Sequence, residues 1–258
     1  MWMAVTGSFI VPDERTLPQV TLEATNEEYD YGNYNNSEEL MCGNQSNFRK
    51  SFMERHILDI LNTLREVAVA GNLPNGEGRD RYPPGKNMME VVWNCKLAEK
   101  ARKILDVEVG CSRRRPRGRR RHARLFYTQY GTDEPKMANA FKYWIEEHKF
   151  HLPKKYIGKK YVKFPRSHHQ YRNLKELLNL LRDCMTSLGC AEKNCVEQRT
   201  GVNIYNVLCL SSEKPLQPRE VVYSVGKGGC TSDDDCPRHS RCGERGLCRK
   251  KKLRGSPR

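Results

Sequence analysis

The side chains here best suited to chemistry are sulfur and guanidinium. Eleven cysteines occur along 258 residues, five of them between Cys209 and Cys248 with Cys195 just upstream. Such density belongs to oxidised, exported chains; scattered reduced thiols are the alternative. Cys230, Cys236, Cys242 and Cys248 recur every six residues in GGCTSDDDCPRHSRCGERGLC, a stretch too poor in apolar residues to build its own core. Zinc ribbons and fingers use cysteine pairs two to four apart, so two disulfides are the preferred reading. An odd total leaves at least one thiol without an intrachain partner.

Guanidinium is concentrated in one tract. Arg113, Arg114, Arg115, Arg117, Arg119, Arg120, Arg121 and Arg124 stand within twelve residues, broken by Pro116 and Gly118. Mutual repulsion keeps such a run from folding alone. On an exported protein it would bind heparan sulfate or another anionic surface by ion pairing and counterion release. In a nucleus it would bind nucleic acid, the less favoured partner. It also resembles a basic-protease cleavage site, and an insert with no selected partner is the bland alternative. The histidines offer less. His168 and His169 lie in a basic loop, and His56, His148 and His151 sit near helix ends. No nucleophile–base pair is evident, so neither an enzyme nor a cofactor is expected.

The elements that must position these groups follow from composition and period. The formal net charge of +15 is uneven: residues 1–41 carry eight acids and one base, while 113–124, 149–172 and 249–258 carry eight, eight and six bases and no acid. Residues 1–41 show no helical or strand period and read as an acidic, disordered leader. The start, MWMAVTGSFIVP, gives no clear signal peptide. No run of eighteen apolar residues occurs. Two Asn-x-Ser sequons, at Asn35 and Asn44, are glycosylation candidates.

Ser51 and Glu54 suggest a capping box, followed by an amphipathic helix through Ile57, Ile60, Leu61, Leu64, Val67 and Ala68 that stops at Gly71. A second helix is predicted after Asn94 as N-cap, with Leu97, Ala98, Ala101, Ile104 and Leu105 on one face and Trp93 ahead of it as a core anchor. A third begins near Thr132 or Asp133, with Pro135 in its first turn and Met137, Phe141, Trp144, Ile145 and His148 as its stripe. Residues 149–172 read as a long basic loop. A fourth helix starts at Asn173, paired with Glu176, and shows Leu174, Leu177, Leu178 and Leu181. Residues 201–209 and 221–225 are rich in β-branched and aromatic side chains and read as strands. Helices first and strands later give an α+β arrangement.

Taken in order, several of these pieces resemble the CAP superfamily of cysteine-rich secretory, antigen 5 and pathogenesis-related proteins, also called SCP/TAPS. They are Arg65–Gly71, Asn87–Met88, Trp93-Asn-Cys through Ala101, Ala138–Glu147, Leu188–Ala191 and Val222–Gly226. Trp93-Asn94-Cys95 and the cysteine cluster ending Gly246-Leu-Cys248 look most like nematode secreted, venom allergen-like members. The resemblance covers residues 42–248. It implies an α-β-α sandwich at 42–226, carrying the tract 113–124 and the loop 149–172, with a disulfide-rich appendage and basic tail at 227–258.

It also implies a secreted protein that works by binding a protein, glycan or lipid partner, in host–parasite interaction or immune modulation, or as a sterol or lipid carrier. Family members can hold a divalent metal with two His and two Glu. The corresponding positions here are Leu61, Ala123, Glu147 and Glu176, so one of four ligands is kept and no metal is expected. The family pattern has no cysteine at 184. Cys184 is therefore the candidate unpaired thiol, buried or paired with another molecule. Cys42, Cys95, Cys111, Cys190, Cys195, Cys209, Cys230, Cys236, Cys242 and Cys248 are the disulfide candidates.

Overall fold

A computed structural model of the chain describes residues 39–44, 48–117, 121–131, 137–166, 171 and 174–251. The acidic leader before residue 39, Asn35, Arg119, Arg120, the predicted start of the third helix, His168, His169, Asn173 and the tail after residue 251 lie outside them.

The first helical run comprises α1 (Lys50–Met53), a π-helical segment Glu54–Leu58 and α2 (Asp59–Val69). It buries Met53, Ile57, Leu61, Leu64 and Ala68, a helically spaced apolar face. The expected capping box is absent. Helix begins one residue before Ser51, with Arg49 at the N-cap and no side-chain cap. The Lys50 amide instead donates to the Glu39 carbonyl at 2.9 Å. Gly71, at φ +79°, ends the run, and Asn72 N–H closes back on Val67 C=O at 2.9 Å.

α3 (Cys95–Ile104) starts where its cap residue requires: Asn94 is extended, and its Oδ1 accepts the Leu97 amide at 3.1 Å. A π-helical segment Leu105–Val109 continues it. Leu97, Ala101, Leu105 and Val109 pack on Phe126, Ala191, Leu208 and Leu210 of the sheet below. Trp93 is not the core anchor. It stands half-buried on strand β3 (Val92–Trp93), its indole N–H directed at Cys42 Sγ at 3.3 Å. The fully buried tryptophan is Trp144, on α4 (Met137–Ile145).

The central sheet has the order β3-β6-β7-β4, with β4 (Arg124–Tyr130), β6 (Ser187–Val196) and β7 (Asn203–Ser211) antiparallel and β3 parallel to β6. α3 covers one face. α2, α4 and α5 (Lys175–Leu180) pack on one another, with α4 against β4, giving the α-β-α layering. A smaller sheet joins β2 (Gly85–Lys86), β8 (Val221–Val225) and β5 (Tyr161–Lys163). β5 lies inside the segment expected to be loop. Only Val162 of its three residues turns inward between Tyr161 and Lys163, too short an alternation to stand out in a lysine-rich stretch.

The cysteine-rich end carries β9 (Ser240–Cys242) and β10 (Cys248–Lys250), a two-stranded ribbon. It docks through its backbone: Cys248 N–H donates to Met88 C=O, and Glu90 N–H to Cys248 C=O, each at 2.8 Å. Arg245 reaches Asp59 and Thr63 on α2, and Arg249 pairs with Glu90.

Candidate functional site

The polar interior of the helical layer begins on α2. Asn62 exchanges two hydrogen bonds with Val91: its amide donates to the Val91 carbonyl at 3.0 Å and its Oδ1 accepts the Val91 amide at 2.9 Å. Arg65, four residues after Leu61 on the same apolar face, is fully buried. Its guanidinium donates to the carbonyls of Met89 (2.9 Å), Leu180, Arg182 (3.0 Å) and Asp183 (3.4 Å). Burial pushes it down to about 10, with Asp183 partly opposing, so it stays charged. A buried arginine spread over four carbonyls splices α2 to the end of α5 and the segment before β3. These two residues were not foreseen as structural, although an Asn and an Arg on an apolar helical face are a legible signal.

Next to this splice lies a carboxyl pair. Glu147, in the 3₁₀ segment Glu146–Lys149 after α4, is 5% exposed, and its Oε2 accepts the Leu177 amide of α5 at 2.8 Å. Glu176, on α5, is buried beside it. Burial first, then the Glu176 charge, hold the Glu147 carboxyl far above the usual carboxylate range, so it keeps its proton at neutral pH. The Tyr82 hydroxyl, fully buried and without a partner among the described residues, is also raised by burial and then by Glu147. The indole N–H of Trp144 likewise lacks a partner.

The cation of this pair comes from the arginine tract. Arg115 ion-pairs with Glu176 and donates from the same terminal nitrogen to the Arg124 carbonyl at 3.0 Å. The tract is therefore divided. Arg113 lies over the Tyr130 ring, 4.9 Å from its centre, and Arg124, buried at the start of β4, pairs with Glu108 at 3.1 Å. Arg114, Arg117 and Arg121 are exposed.

The residues that the resemblance puts at the family's metal positions do not fit a divalent ion. Leu61 is a buried aliphatic, Ala123 has no donor side chain, and one of the two carboxyls is already neutralised by a guanidinium. Among the described residues no histidine completes a ligand set. His122 Nδ1 lies 2.9 Å from the Ser211 carbonyl and His151 3.3 Å from Asp80, while burial disfavours the charged form of His148. Among the described residues one grouping of three possible ligand atoms occurs, at Cys230, Cys236 and Cys248, and all three sulfurs are in disulfides.

The sulfurs pair as Cys42–Cys95, Cys111–Cys195, Cys190–Cys209, Cys230–Cys242 and Cys236–Cys248. The first two pin α3 at both ends, and the last two interlock the C-terminal ribbon. Cys184 is unpaired and exposed rather than buried. Partial burial first, then Glu213 and Asp183, push its thiol up to about 11. Of the sequon residues, Asn44 falls in β1 (Met41–Asn44).

A helical layer on one face of a four-stranded sheet and α3 closing the other define an α-β-α sandwich. Comparison with known proteins agrees, and the chain belongs to the Cysteine-rich secretory protein family (CAP), which matches residues 58–210, more than half of its length. Similar solved structures include BmVAL-1 (21% identity, TM-score 0.62, 80% of this chain and 98% of that one) and NaASP2 with Zn²⁺ (18%, 0.56, 84% and 100%). Na-ASP-1 (22%, 0.62) is matched over 81% of this chain, which spans only 48% of the Na-ASP-1 chain. At these identities the likeness is one of fold. A search of curated proteins returns no match.

Proposed function

We propose that this is an exported, non-catalytic CAP-domain protein that acts by binding a sulfated polyanion, such as heparan sulfate, in a host–parasite or immune-modulating setting. The observation that carries the reading is the division of the arginine tract. Arg115 and Arg124 are held on the body by Glu176 and Glu108, and Arg113, still exposed, lies over Tyr130, so Arg114, Arg117 and Arg121 are presented outward beside anchored neighbours. Three exposed guanidinium groups on an anchored scaffold lose less entropy on binding sulfate than the same groups on a free tail. Five disulfides support export. The carboxyl pair supports a non-catalytic role, since Glu176 is taken up by Arg115 and Glu147 by the Leu177 amide.

The test is retention on immobilised heparin of the full chain against the triple substitution Arg114→Ser, Arg117→Ser, Arg121→Ser. The variant is expected to elute at clearly lower salt, with the slope of log affinity against log salt reduced by about one per ion pair lost. Unchanged retention and slope would remove the tract from the binding surface. Point substitutions are needed, because deleting 113–124 would also remove Arg115 from Glu176 and Arg124 from β4.

A further inference from the structure

We infer that the Glu147–Glu176 pair is a guanidinium-binding site, filled in this protein from within the chain by Arg115. The inference concerns the cleft and stands whether or not the exposed arginines bind a polyanion. A buried carboxylate needs a counter-charge, and Glu176, with 7% of its side chain exposed, receives one from Arg115, which remains 33% exposed and enters from the surface. The two hydrogens of one terminal nitrogen are divided between the Glu176 carboxylate and the Arg124 carbonyl. The acceptors are thus set for a planar N–H donor arriving from the tract. Pro116, the next residue, is buried and restricts the Arg115 backbone to the extended region.

The surroundings point to an organic cation and not to a metal ion. Glu147 commits Oε2 to the Leu177 amide, no imidazole among the described residues joins the pair, and the buried Tyr82 hydroxyl is near enough for the Glu147 charge to act on it. The hydroxyl of Tyr82 and the indole N–H of Trp144 have no partner among the described residues, so this interior holds polar capacity beyond what Arg115 uses. A guanidinium is weakly hydrated and planar, and so loses less on entering such a pocket than an ammonium or a divalent ion of the same reach.

Chemical rescue tests the site. Arg115→Ala in the full, oxidised chain should lower the melting temperature, and methylguanidinium should restore it saturably, with half-effect at about 1–10 mM, the affinity of one charge-assisted contact in a partly buried site. Methylammonium, sodium chloride at equal ionic strength and Zn²⁺ should not restore it. Wild type should show no such shift, its site being filled, and adding Glu176→Gln to the alanine variant should abolish the rescue. Equal rescue by methylammonium, rescue by Zn²⁺, or a wild-type shift as large as the variant's would overturn the assignment. So would an alanine variant that neither loses stability nor responds. If that variant does not fold, phenylglyoxal labelling of wild type decides: Arg115 should react at least about tenfold more slowly than Arg114 and Arg117. Equal rates would refute the site.

Discussion

Replacing Glu147 by Gln offers the most direct reading of the buried carboxyl pair. The substitution keeps an oxygen for the Leu177 amide, adds an NH₂ group that can donate to Glu176, and removes one titration. Because the folded-state value of Glu147 lies above the ordinary 4.5, native protein holds a proton that the unfolded chain releases. The stabilisation from this carboxyl is complete below about pH 4.5 and is lost as pH rises toward the folded value. The slope cannot exceed about 1.4 kcal/mol per pH unit for one proton. Between pH 5 and pH 8 the ceiling is therefore about 4 kcal/mol. Thermal melts of both proteins, oxidised and at constant ionic strength, should coincide near pH 5. They should then separate, with Glu147→Gln melting about 5–10 °C higher at pH 8. Curves that stay parallel across this range, or a variant that weakens as pH rises, would refute the protonated-carboxyl account.

Four further tests probe the framework. Asn62→Ala strips the buried Val91 N–H and C=O of their partners and should cost about 2–4 kcal/mol, a fall of about 5–15 °C in melting temperature by calorimetry. A Cβ on Gly189 would meet the Ala98 amide at 2.3 Å and the Asn94 carbonyl at 2.4 Å, so Gly189→Ala should push the first turn of α3 off β6 and cost at least about 3 kcal/mol in denaturant unfolding. Gly43→Ala meets nothing within 4 Å, pays only for its positive φ of +57°, and should cost about 1–2 kcal/mol in the same assay. Cys184 should alkylate slowly at pH 7.5, with a rate rising about tenfold per pH unit until near its value of about 11; a rate flat above pH 8 would contradict that value.

The helices were legible because their apolar residues keep a helical period: α2 through Leu61, Leu64 and Ala68, α3 through Leu97 and Ala101, and α5 with its flanks through Leu174, Leu177, Leu178 and Leu181. Asn94 marked its helix start by residue type alone. Strand β5 was not legible, since one inward valine among lysines carries no periodic signal. Trp93 misled because an apolar lead-in does not say which layer it faces; two positions later the chain turns into α3, and the indole meets Cys42 instead of the core. At the cleft, the loss of ligands at Leu61 and Ala123 could be seen by resemblance. The Arg115–Glu176 contact could not, because 61 residues separate the partners and seven neighbouring arginines look equivalent in sequence.

The route of Cys111–Cys195 has a topological consequence. A nick beside exposed Arg114 or Arg117 would divide the chain into two polypeptides. Cys42–Cys95 lies wholly on the N-terminal side, and Cys190–Cys209, Cys230–Cys242 and Cys236–Cys248 lie wholly on the C-terminal side. Cys111–Cys195 alone crosses the break, tying the end of α3 to β6. A nicked molecule would therefore persist as a heterodimer of its own halves, with β4 still seated in the sheet, and would separate only on reduction. One sulfur–sulfur bond makes the arginine tract a place where the backbone can be opened while the molecule stays in one piece.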